Sequence, residues 1–258
     1  MNEQDPTQRF TNRAGNYARY RPTYPAAVLD CLRDSCGLTA GAIVADVGSG
    51  TGILTELLLN RGATVYAVEP NAEMRGTAEA SLLGLPGFIS VDGRAEATTL
   101  PDQSVDLVTA GQAFHWFDPD ASRDEFRRIL KPGGYTALVW NGRDVKGGGF
   151  AADYEALLHE FARDYKKVRR DARLGNIDIL FVDGYEHRNF HHERRLDYTA
   201  ILGGLLSASY APLPGDPRYE PMVARLHAIF DIHQQEGHVL LPYETEVYYG
   251  RLAAPVLA

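Results

Sequence analysis

The chain has 258 residues, 45% of them hydrophobic and 23% charged, the balance of an ordinary globular protein rather than a disordered or fibrous one. Lys and Arg number 26 against 34 Asp and Glu, and the net charge of −8 argues against a protein that coats nucleic acid. No stretch approaches the roughly 20 apolar residues of a membrane span, and the opening MNEQDPTQRF has no apolar core of a secretory signal, so the chain reads as cytoplasmic, without membrane contact.

In chain order, residues 1–25 are rich in Tyr and Arg and carry little apolar periodicity. The spacing of Val28, Leu29, Leu32 and Leu38 predicts an amphipathic helix over residues 26–38. Its two cysteines, Cys31 and Cys36, are too few for a disulfide framework or a zinc site and read as reduced thiols. AIVADVG (42–48) is the near-continuous apolar run of a strand buried on both faces, and ILTELLLNRG follows as a helix stopped by Gly62. ATVYAVEP then reads as a second strand, NAEM as the start of a second helix, FISVD as a third strand and SVDLVTAG (104–111) as a fourth.

Asp118-Pro119 sets up a helix start, with Asp as N-cap and Pro at the first helical position. That helix is expected to stop at Lys131-Pro132-Gly133-Gly134, before a fifth strand, YTALVW. Beyond Gly149 a polar helix is predicted over about Asp153 to Arg169, a strand over YEHRNFHHERRLD, helices around 201–206 and 221–236, and an extended close over VLLPYETEVYYGRL. Strands alternating with helices at this spacing specify an α/β protein with a doubly wound, mostly parallel sheet.

The most informative stretch is Asp46-Val47-Gly48-Ser49-Gly50-Thr51-Gly52, between a buried strand and a helix. Glycines there let the backbone turn tightly and approach a ligand. An acid, Glu69, ends the second strand 19 residues after Gly50, where a carboxylate can accept both ribose hydroxyls of a nucleoside. Nicotinamide dinucleotides and S-adenosylmethionine both satisfy that geometry. The dinucleotide fingerprint, however, would put its third glycine where Ile53 stands, and Asp46 places a carboxylate suited to an amino group and unsuited to a pyrophosphate.

With these motifs the sequence resembles the class I S-adenosylmethionine-dependent methyltransferases, in particular the small-molecule group called methyltransferase type 11. VADVGSGTG looks like that family's first motif, VYAVEPNAEM (with Pro70) like its second, GRAEATTLP like its adenine loop, and ILKPGG like the stretch before the fifth strand. The resemblance implies a seven-stranded sheet whose last strand is antiparallel, one domain over 1–258, and S-adenosylmethionine as cofactor. Residues 1–25 would then be a lid, 26–146 the cofactor-binding core, and 147–258 a part completing the sheet and capping the acceptor pocket. It also implies that Met74 packs on the adenine and that Ala95 and Glu96 belong to the adenine loop.

The acceptor side is read from position. AGQAFHWF (110–117) follows the fourth strand, at the edge where open α/β sheets bind ligands. Gln112 is placed to reach the methionine part of the cofactor. His115 is read either as a general base beside a wall made by Trp116, or as a turn cap with Trp116 and Phe117 as core. Trp140 and Asn141, ending the fifth strand, are further wall candidates. From the lid, Tyr17, Arg21 and Tyr24 either close over the sulfonium or staple the first helix to the sheet. The basic run 163–173 reads as a solvated helix face, and His187 and His191 share a strand face without completing a metal set. Tyrosines 198, 210, 243, 248 and 249 are acceptor-pocket or core residues. The expected activity is methyl transfer to an O, N or C nucleophile of a small molecule, by a monomer or homodimer that uses no metal and no nucleic acid. A nicotinamide-dependent oxidoreductase and a non-catalytic cofactor-binding module are the rival readings.

Overall fold

A computed structural model describes residues 15, 19–162, 165 and 171–252, with side chains 171–175 left aside. Its centre is one seven-stranded sheet of order β3-β2-β1-β4-β5-β7-β6. The strands are β1 (Ile43–Val47), β2 (Thr64–Val68), β3 (Phe88–Val91), β4 (Val105–Gly111), β5 (Leu130–Arg143), β6 (Glu186–Leu196) and β7 (Val239–Gly250). Strands β1 to β5 pair in parallel, whereas β7 runs antiparallel to both β5 and β6. The expected fold class and the single antiparallel strand are therefore present.

The first half of the chain wraps both faces. Helices α1 (Ala26–Cys36) and α2 (Ile53–Leu59) pack Val28, Leu32, Leu54 and Leu58 against Val44, Val65, Leu107 and Val139. On the opposite face α4 (Pro119–Ile129) buries Phe126 and Ile129 among Val47, Val108 and Trp140, and α3 (Ala72–Leu82) follows β2. Central strands carry apolar side chains on both faces because both faces are covered. Helix α4 starts as its sequence dictates: Asp118 accepts the Ala121 N–H, and Pro119 spends no donor at the first position.

Two expectations need correction, and one helix is new. Strand β5 begins at Leu130, not Tyr135; the KPGG turn bulges out of a ladder that pairs Val105 with Leu130 and Leu107 with Tyr135. The polar helix expected over 153–169 is α5 (Gly149–Phe161), started by Gly148 at a positive φ of 70° and ended by Ala162. Its Phe150, Tyr154, Leu157 and Leu158 face inward. Helix α6 (Asp171–Leu180) had no expectation at all; it buries Ile177 and Leu180 beside Trp140 and Tyr248. Part of the basic run 163–173 lies outside the described residues. Helices α7 (Tyr198–Leu206) and α8 (Tyr219–His233) stand where the sequence put them and form, with α5 and the ends of β6 and β7, a separate apolar cluster over one end of the sheet. No described helix is long and apolar enough to cross a membrane.

Candidate active site

Strands β1 and β4 end side by side, and the glycine loop leaves β1 into α2. Gly48, Gly50 and Gly52 all take left-handed backbone, with φ of 67°, 59° and 86°. A Cβ on Gly48 would stand 2.6 Å from that of Ala113, and one on Gly52 2.5 Å from Leu82 Cδ1. These positions need glycine for both torsion and space. The loop's amides are already used: Gly48 and Ser49 donate to Val68 O, Gly52 to Ser49 O, and Gly50 to Glu69 Oε2 at 3.0 Å.

Asp46 is 1% exposed. Its Oδ2 accepts from the Thr55 hydroxyl at 2.6 Å and its Oδ1 from the Thr109 hydroxyl at 3.0 Å. Burial pushes its carboxyl up to about 6, against the opposing pull of those two hydroxyls. Glu69, nearly as buried, accepts Asn71 N–H at 2.8 Å as well as Gly50 N–H, and its carboxyl is raised by burial despite both bonds. Each Glu69 oxygen thus keeps a lone pair for another donor. Asn71 caps α3 through the N–H groups of Glu73 and Met74, which sets buried Met74 beneath Gly50.

Two adjoining cavities open at this edge. The first, about 460 Å³ of empty space, is walled by Asp46, Gly48, Ser49 and Gly50 on one side and by Arg21, Tyr24 and Gln112 on the other. The second, about 530 Å³, shares Arg21, Pro22 and Gln112 with the first and continues under α5 and α7. Its wall includes Asn141, Arg143, Tyr154, Arg194, Tyr210 and Tyr243. Residues 20–24 strap over the junction: Asn141 Nδ2 donates to Thr23 O at 3.1 Å and Arg194 Nη1 to Tyr20 O at 3.1 Å. The Tyr24 hydroxyl lies against Gly111, and the Tyr20 ring against Gly203, positions where a Cβ would collide. Gln112 turns the chain at a positive φ of 57° and donates from Nε2 to Asn141 O at 2.8 Å.

The structure thus brings Arg21, Tyr24, Asp46, Gly48, Ser49, Gly50 and Gln112 of the expected set around one cavity. Glu69 and Met74 brace its glycine loop, while Thr51 and Gly52 are buried behind it. Pro70 follows Glu69, and Ala95 is buried in a tight turn bridged between Arg94 and Ala97. Glu96 is engaged away from the cavity, accepting the Asp118 N–H at 2.9 Å. Trp140 is corrected from acceptor wall to core: it is 2% exposed, edge-on to Phe114 and Tyr248, on the sheet face opposite the second cavity. His115 lies in a 3-10 turn (Phe114–Trp116) with its ring 4.6 Å from that of Trp116, and neither lines either cavity. Tyr17 lies outside the described residues. Of the five tyrosines, Tyr210 and Tyr243 line the second cavity and Tyr198, Tyr248 and Tyr249 do not.

Sequence reasoning missed Arg143, Tyr154 and Arg194. The signal available was weak: Arg143 is the charged end of a strand whose centre is apolar, and Arg194 shares the inward face of β6 with Leu196. Nothing local says that β7 will insert between those strands and bring the two arginines to one cavity.

Residues 45–138 match the family model described as methyltransferase domain. An uncharacterized methyltransferase of Mycobacterium tuberculosis is 42% identical over 139 residues, 54% of this chain and 54% of its own length. One from Schizosaccharomyces pombe is 34% identical over 139 residues, 52% and 53% of the two chains. The chain thus spans about half the length of the curated relatives it matches. Among solved structures, a protein of Anaeromyxobacter dehalogenans assigned as a type II methyltransferase superposes with a TM-score of 0.68 at 24% identity, over 90% of this chain and 98% of that one. A [4+2]-cyclase superposes with a TM-score of 0.55 at 17% identity, over 96% of both chains, so likeness at this level concerns the fold alone.

Proposed function

We propose that this chain, whose residues 45–138 match a methyltransferase domain, is a class I S-adenosylmethionine-dependent methyltransferase that transfers a methyl group to a small-molecule acceptor. The observation that carries this reading is the pair of joined cavities, one holding the Asp46 carboxylate and bare glycine backbone, the other lined by arginine and tyrosine. The residues fit the cofactor. Asp46 offers a buried carboxylate to an ammonium group, Glu69 keeps lone pairs for two ribose hydroxyls, and Gly48 and Gly50 permit close approach. When bound, S-adenosylmethionine supplies a methyl on a positively charged sulfur.

The chain's own work is then alignment and exclusion of water. Arg21, Pro22 and Gln112, common to both cavities, mark the meeting point, and the strap over 20–24 covers it. A second cavity roofed by the strap, α5 and α7 favours a small molecule over a strand of nucleic acid. Against a nicotinamide dinucleotide stands the use of the loop's amides: those of Gly48, Ser49, Gly50 and Gly52 are bonded within the protein rather than turned to a pyrophosphate. Calorimetry tests the reading directly: S-adenosylhomocysteine should bind and NADH should not, and mass spectrometry should detect a methylated acceptor. Binding of NADH without response to S-adenosylhomocysteine would falsify it.

A further inference from the structure

The two edges of the sheet are unlike. On one side β3 ends it with four residues, a short edge that offers little to another strand. On the other, β6 runs for eleven residues without a proline and pairs with β7 in unbroken register along its whole length. Among the described residues no strand or backbone bridge lies on its outer side. An edge of that length without a bulge presents a row of backbone N–H and C=O groups to any strand that fits it.

The charges on β6 decide what fits. The chain carries a net −8, yet β6 holds three arginines against two glutamates, so two copies repel each other least here. Two copies of one edge strand meet antiparallel about a two-fold axis normal to the sheet, which keeps each face on its own side. Every residue then faces one of the same parity, and the axis passes through a single residue. With the axis at Phe190, Glu186 faces Arg194 of the second copy on one side of the sheet, Glu193 faces His187 on the other, and symmetry makes each pair twice. Glu193 is exposed and has no hydrogen bond or ion pair among the described residues. His187 Nε2 is buried without a hydrogen-bond partner, with Glu246 Oε1 at 3.6 Å. Glu186 uses only Oε2 on Arg188 of its own strand, at 3.3 Å, among the described residues. Arg188 faces His192, whose imidazole is held below its ordinary value by burial and by Arg194, so no second cation opposes it at neutral pH. Half-buried Phe190 meets its own copy at the axis.

Neighbouring registers lose this match. An axis at His191 sets Arg188 against Arg194 and His187 against Arg195, and like charges directly opposite are destabilising. An axis at Asn189 sets His187 against His191 and leaves neither glutamate opposite an arginine.

We propose that β6 is the interface of a homodimer, two copies pairing antiparallel about Phe190 so that their sheets become one. The assembly reaches the candidate active site. Arg194 lines the second cavity and holds Tyr20 O of the strap at 3.1 Å, so the second copy's Glu186 bears on the guanidinium that ties the strap down.

Sedimentation equilibrium of the full chain, followed over about a hundredfold in concentration, should show twice the 28.5 kDa of one chain, dissociating on dilution. Glu186→Lys and Glu193→Lys should each raise the dimer Kd at least about tenfold, since each removes a matched pair at two symmetric places. Both positions are exposed, and circular dichroism should show both variants folded. Amide hydrogen exchange over 186–196 should slow from dilute to concentrated protein, while that of β3 stays unchanged. The Asn189→Cys/His191→Cys variant, whose two positions face each other about Phe190, should give a disulfide-linked dimer on mild oxidation; the wild type, with Cys31 and Cys36, should not. A single-chain mass at every concentration overturns the proposal, and slow β6 amides in that monomer would show that the chain covers its own edge. A dimer that both lysine variants leave intact, or whose β6 amides exchange as fast as the monomer's, puts the interface elsewhere and overturns it too. Crosslinking of His191→Cys alone as efficiently as the pair moves the axis to His191 and overturns the register. None of these readouts depends on methyl transfer.

Discussion

Asp46 should make cofactor affinity pH-dependent near neutrality, with a sign opposite to its effect on stability. In the ligand-free protein burial raises its carboxyl from 3.8 to about 6. The fold therefore favours the protonated form. Its contribution to stability is greatest at low pH and falls as pH rises from the unfolded value through about 6, by about 3 kcal/mol for a shift of this size. A bound ammonium group reverses the preference and needs the carboxylate. At about pH 5 only about a tenth of the free protein would have Asp46 ionised, so S-adenosylhomocysteine should bind about tenfold more weakly than at about pH 7.5, a difference of about 1.4 kcal/mol. The Asp46→Asn variant keeps partners for the Thr55 and Thr109 hydroxyls but loses the charge, so its affinity should be low and flat over the same range. Calorimetry in two buffers of different ionisation enthalpy would also show proton release on binding to wild type near pH 6 and none to the variant. An equal slope in both proteins would refute the assignment of Asp46 to the ammonium group.

Glu69→Ala should weaken S-adenosylhomocysteine binding more than about tenfold and also cost stability, since it orphans the Gly50 and Asn71 amides at about 1–3 kcal/mol each; unchanged affinity by calorimetry contradicts its ribose role. Gly52→Ala should destabilise by about 2–4 kcal/mol from the left-handed torsion and the Leu82 collision together. Combined with Leu82→Ala, chemical denaturation should show the two losses falling short of additivity by at least about 1 kcal/mol; strict additivity would remove the collision from the account. His115→Ala should change the turnover number by less than about threefold, because His115 lines neither cavity; a loss of about a hundredfold, with loss of one limb of the pH profile, would restore the general-base reading.

The donor half of the site was legible because its signals are local. Glycines that must turn left, an acid ending each of two adjacent strands, and Asp-Pro opening α4 all act within a few residues of themselves. The acceptor half was not, because it depends on which strands become neighbours. Trp140 was expected to end β5, but the strand runs on to Arg143, and alternation aims Trp140 at Phe114 and Tyr248 while Asn141 and Arg143 take the cavity face. His115 follows β4 as expected, but the 3-10 turn lays it against Trp116. Helix α6 escaped notice since its buried residues, Ile177 and Leu180, span less than one turn of pattern.

The insertion of β7 between β5 and β6 sets an order on assembly. Strands β1 to β5 close their ladder within the first 143 residues, so the glycine-loop side of the first cavity is in place once that segment has folded, while the strap over 20–24 still waits for its Arg194 tether. Strand β6 has no partner in the sheet until Val239–Gly250 slides into the gap; Arg194 and Arg143 are joined only across that late strand, through Leu241 and Tyr243. Pairing this distant in sequence is slow to form. A ribosome-bound chain therefore acquires the loop side of its first cavity about a hundred residues before its second cavity is complete, and the outer edge of β5 stays open to foreign strands throughout that interval.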